Sequence, residues 1–122
     1  MSFLPAVQRA IQARQPNDPI RLTLEYLSQN GVGHQNPVPL DRIVAHLQTQ
    51  GVNITNTGFQ QTVLKASRAA DYYIGSGSRG YFLIDTIDDA IVMRDFYATR
   101  IQAEQQNLAN LRRQALPFRW NL

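Results

Sequence analysis

The chain has 122 residues, 43% hydrophobic and 17% charged, with a formal net charge of +3, which supplies one core but not two self-sufficient ones. It contains no cysteine, so disulfides, thiolate catalysis and thiolate-based metal sites are excluded, and its longest apolar runs fall far short of the roughly 20 residues that span a bilayer. Its basic residues are almost all arginine, Lys65 being the sole lysine, and arginine is the better residue for forked contacts to phosphate, guanine or carboxylate.

The expected fold class is mainly α with a small β-hairpin. Residues 1–16 read as an N-terminal arm or short helix in which Leu4, Val7 and Ile11 share a stripe. They lack a basic leader followed by a long apolar stretch, so no secretory signal is read and a cytoplasmic protein is expected. From Asn17, NDPIRLTLEYLSQNG predicts a helix capped by Asp18, opened by Pro19 and closed by Gly31 in a left-handed exit. GVGHQNPV is a turn-rich link in which Val38, between two prolines, can add one short extended pairing. In PLDRIVAHLQTQG, Leu40, Ile43, Val44 and Leu47 form a helical stripe, again closed by a glycine, Gly51.

The next segment offers several caps, Thr55 to Thr57, before FQQTVLKASRAA. With Thr57 as cap, Gln60 completes a capping box. Phe59, Thr62, Val63, Ala66 and Ala70 are expected to face inward, and Asn56, Thr57, Gln60, Gln61, Leu64, Lys65 and Arg68 outward. Leu64 is the misfit on that polar side. Tyr72 to Ile74 and Tyr81 to Ile84 read as strands joined by a long glycine- and serine-rich loop with Ser76, Ser78 and Arg79 at its tip. Asp85 or Thr86 then caps a helix running to about Ala115, with Asp88 and Asp89 at the positive end of its dipole and Arg112 and Arg113 at the negative end. Pro117 ends it, leaving Phe118 and Trp120 on a short tail.

Gly75, Gly77 and Gly80 have the spacing G-x-G-x-x-G. A dinucleotide site needs a helix after the glycines, and here YFLI reads as a strand. A kinase-type loop needs a lysine on the following strand and a downstream metal-binding aspartate motif, neither of which follows. The glycines are left with a conformational role. His34 and His46 are too far apart and too poor in carboxylate neighbours for a metal site, and no serine, histidine and acid set reads as catalytic. No enzyme activity, metal or cofactor is expected.

Helix, short strand, helix, turn, helix, strand, loop, strand is the order of a winged helix-turn-helix domain. ITNTGFQQTVLKASRAADYYIGSGSRGYFLIDTIDDA, with GYFL (Gly80 to Leu83) its most pointed motif, resembles the recognition helix and wing of small winged-helix proteins of bacteriophage and bacterial origin. The resemblance covers about residues 18 to 92 and implies that the third helix enters the major groove. On that reading Asn56, Gln60 and Gln61 suit adenine edges, Lys65 and Arg68 suit phosphate or guanine, and Thr55 and Thr57 lie where free helix amides attract a phosphate. The wing adds Ser78 and Arg79, and Arg42 is a further phosphate contact. The domain is placed at residues 17–85, the long helix at 86–116 and the tail at 117–122.

The long helix, about 45 Å at 1.5 Å per residue, carries Tyr97, Ile101, Leu108, Leu111 and Ala115 in one row, interrupted by Glu104. This row either packs on the Leu4, Val7 and Ile11 stripe or pairs with a second copy, and the homodimer is favoured. The expected function is a sequence-specific binder of double-stranded DNA, a dimeric transcriptional regulator of phage, plasmid or bacterial origin. The alternative is a winged-helix adaptor in a replication, defence or packaging assembly, motivated by Leu64, the modest net charge and a protein partner at Phe118 and Trp120.

Overall fold

Asp18 accepts a hydrogen bond from the Ile20 amide, and Pro19 takes the first turn; from this cap runs the helix α2 (Pro19–Asn30), as the sequence implies. The computed structural model describes all 122 residues and is mostly helical, with one small antiparallel sheet. α1 (Leu4–Gln12), α2 and α3 (Leu40–Thr49) are followed by a composite helix. This comprises α4 (Asn56–Gly58), a π-helical turn (Phe59–Leu64) and α5 (Lys65–Ala70). A hairpin, β1 (Ile74–Gly77) and β2 (Gly80–Leu83), leads to α6 (Ile87–Ala115) and a 3₁₀ turn, Leu116–Phe118.

The chain divides into two compact units, Met1–Ala90 and Ile91–Leu122. In the first, Val7 and Ile11 of α1 join Leu24, Leu27, Ile43, Val44, Leu47, Phe59 and Leu83 in one core. The stripe of α1 is thus part of the core of the first unit.

The hairpin pairs Ile74 with Leu83 and Gly77 with Gly80, so its turn is only Ser78 and Arg79. The long loop expected from the glycines is thus corrected: Gly75 and Gly77 lie in the strand. On the other edge of β2, the Val38 and Tyr81 backbones exchange hydrogen bonds of 2.7 and 2.9 Å, the short pairing anticipated for Val38. That approach requires Gly80. Its φ is 137°, and a Cβ there would sit 2.2 Å from the Val38 carbonyl oxygen. Gly31, expected to exit left-handed, instead has φ −147°; a Cβ on it would meet Val38 Cγ2 at 2.7 Å. Close packing, not backbone handedness, accounts for glycine there.

The start of α6 is held by a buried carboxylate. Asp89 accepts from the Asp85 and Thr86 amides at 2.9 and 3.2 Å and from the His34 amide at 2.9 Å. His34 Nδ1 lies 2.6 Å from the same carboxylate. Burial pushes the Asp89 pKa up, but the hydrogen bonds from His34, Asp85 and Thr86 outweigh it and leave the carboxyl below its ordinary value. His46 stacks on Tyr26 with ring centroids 4.4 Å apart.

Candidate nucleic-acid interface

The composite helix of residues 56–70 begins at Thr55, whose extended backbone and hydroxyl cap the Gly58 amide at 3.0 Å. This corrects the capping box expected from Thr57 and Gln60: the helix starts two residues earlier, and Thr57 already lies inside it. The buried residues are Phe59, Val63, Leu64 and Ser67, whereas Thr62, Ala66 and Ala70, expected inside, are exposed. The π-helical turn explains the shift. Its i→i+5 ladder takes more residues per turn than an α-helix, so the inward face moves on along the sequence. Leu64, expected outward, is only 6% exposed, and as the sole apolar residue on the expected polar side it was the sequence's one trace of that turn.

Thr55 is engaged as the cap, and the other candidate binding residues fall into two groups. Asn56 Nδ2 donates to Asp41 at 2.7 Å, and Gln60 Nε2 donates to the Tyr81 hydroxyl at 3.0 Å. Arg68, half-buried, donates from Nε to the Ile74 carbonyl at 3.0 Å and from Nη2 to Ser76 Oγ at 3.1 Å. Its guanidinium carbon also lies 4.9 Å from the centre of the Tyr72 ring. These three side chains brace the helix against α3 and the hairpin. Sequence reading missed Asp41 and Tyr81 as their partners, because both contacts cross between elements and no local spacing announces them.

The second group is exposed and makes no side-chain bond to the rest of the chain: Arg42 on α3, Thr57, Gln61 and Lys65 on the helix, and Ser78 and Arg79 on the turn. Gln61 and Lys65 are one turn apart and share a face. Between them Thr62 turns its hydroxyl back to the Gly58 carbonyl at 2.6 Å. Gln60, Pro39, Leu40 and the turn residues Ser78 and Arg79 line one cleft of about 430 Å³. The hairpin tip, the start of α3 and the composite helix therefore converge on one place, with Arg79 at its rim.

In the second unit, Ile101, Leu108 and Leu111 are exposed, whereas Tyr97 is half-buried and Ala115 is buried. Ala115 therefore drops out of the expected dimerisation row as a surface residue. Phe118 and Trp120 are 63% and 62% exposed and stack with ring centroids 5.0 Å apart. No group of three or more histidine or acidic side chains is placed to hold a metal ion, and no helix is long and apolar enough to cross a membrane. No protein-family model, curated protein or solved structure matches this chain.

Proposed function

We propose that the chain is a sequence-specific binder of double-stranded DNA. In this reading the first unit is a winged helix-turn-helix, with the helix of residues 56–70 in the major groove and the Ser78–Arg79 turn as its wing. The observation that carries the reading is the convergence of that helix, the start of α3 and the hairpin tip on one cleft lined by Arg79, with Arg42, Gln61 and Lys65 exposed and unbonded on the same elements. A glutamine amide pairs with an adenine edge through two hydrogen bonds, while the three cations meet phosphates that fix the register. Gln60, Asn56 and Arg68 act one step back, as positioning residues, since each spends donors on its own chain. Regulation of transcription is the corresponding role.

Selection of bound duplexes from a random pool tests this directly. The expected outcome is an enriched motif whose binding weakens as salt rises; an unenriched pool together with no retardation at low salt rejects it.

A second reading, a protein adaptor, keeps one supporting observation, the exposed stacked pair of Phe118 and Trp120. Burial of Leu64 removes another of its motives. Deleting residues 117–122 separates the two: the adaptor loses its partner, and the DNA binder keeps its DNA.

A further inference from the structure

The distal part of α6 carries an apolar row that DNA binding does not use. From Tyr97 through Ile101, Glu104 and Leu108 to Leu111 the steps are 4, 3, 4 and 3 residues, a mean of 3.5 that marks a seam for a second helix. Ile101, Leu108 and Leu111 are 57%, 43% and 56% exposed. A groove of about 460 Å³ along the row is lined by Tyr97, Arg100, Ile101, Glu104, Gln105 and Leu108. Arg100 and Glu104 lie one turn apart yet form no ion pair with each other.

We propose that this face is covered by the same face of a second copy lying antiparallel, with Ile101 of each copy level with Leu111 of the other and Glu104 level with Leu108. A two-fold contact requires a patch complementary to itself. The row meets that condition, because from Ile101 to Leu111 its steps of 3, 4 and 3 read the same from either end and its aliphatic residues flank Glu104 on both sides. Charge selects the direction. In a parallel pair in register, the two Glu104 carboxylates share one layer, and the flanking positions offer Arg100 to Gln105 and Asn107 to Arg112, with no opposite charge to compensate. In the antiparallel pair each Glu104 meets an aliphatic side chain, and the two carboxylates lie about four residues, roughly 6 Å, apart along the axis. The proposal is independent of whether the first unit binds DNA.

The chain has no cysteine, so introduced thiols report without background. Full-length Ile101→Cys and Leu111→Cys variants are oxidised separately and as an equimolar mixture. Sedimentation equilibrium follows the unmodified protein and Leu108→Ala. The proposal expects a concentration-dependent dimer, weakened about tenfold or more by Leu108→Ala. It also expects a disulfide-linked dimer in the mixture and little in either variant alone. A protein that stays monomeric at every concentration overturns it, whatever other partner the face then has. So does efficient cross-linking of Leu111→Cys with itself, the signature of a parallel pair.

Discussion

The helix of residues 56–70 buries its apolar side, whereas the stretch of α6 beyond Tyr97 leaves its apolar row as exposed as its polar residues. The first buries Phe59, Val63 and Leu64 within its own unit and shows glutamine, threonine and lysine; the second leaves Ile101, Leu108 and Leu111 uncovered. Where the apolar side is satisfied, what remains to act is polar and suits a polyanion. Where it is not, the remaining driving force is burial, and a protein surface is the fitting partner.

The strongest way to break this contrast is to truncate one residue from each face. Phe59 is fully buried, so Phe59→Ala is expected to cost about 3–5 kcal/mol in urea unfolding. Leu111→Ala, at a position 56% exposed, is expected to change the stability of the monomer by less than about 0.5 kcal/mol. Similar losses at the two sites would erase the distinction.

The hairpin provides a second test within the first unit. Gly80→Ala forces a Cβ against the Val38 carbonyl and should lower stability by about 1–3 kcal/mol. Unchanged thermal unfolding of this variant would mean that the hairpin does not pack against Val38 as described.

Asp89 sharpens the comparison by isolating what fixes the start of α6. Asp89→Asn removes the charge that accepts from His34, Asp85 and Thr86, with an expected loss of about 1–3 kcal/mol near neutral pH. Because the folded carboxyl titrates below its ordinary value of about 3.9, its contribution is fully present above that value and disappears as pH falls through the lower folded pKa. Melting temperature against pH should therefore fall more steeply below about pH 4 in the native protein than in Asp89→Asn. Parallel curves would contradict this account.

The smallest effect concerns neighbouring glutamines. Gln61→Ala should remove about 1–3 kcal/mol of preference at one base position of the selected site, leaving folding unaltered. Gln60→Ala should instead reduce stability by about 0.5–1.5 kcal/mol through the lost bond to Tyr81, with base preference retained. The reverse assignment would show that the tied and untied groups have been exchanged.

Much of the fold was legible because its signals are local. Asp18 and Pro19 declared the start of α2, the stripe of Leu40, Ile43, Val44 and Leu47 declared α3, and Pro117 declared where the long helix stops. What escaped the sequence depends on contacts between distant segments. Arg68 reads as a free cation until the hairpin supplies the Ile74 carbonyl and the Ser76 hydroxyl, and Gly80 reads as a flexible loop residue until Val38 is packed against it. The π-helical turn is intermediate: helical periodicity assumes a fixed number of residues per turn, so Leu64 registered only as an anomaly.

The central claim, that the exposed cations of the composite helix and the hairpin turn meet phosphates, is tested most directly by the salt dependence of duplex binding for the native chain and for Lys65→Ala combined with Arg79→Ala. Each lost phosphate contact should reduce the slope of log K against log salt by about 0.9, so the double variant is expected to lose nearly two units. A slope that does not change between the two proteins, or a native chain that fails to bind duplex at low salt, would contradict the account.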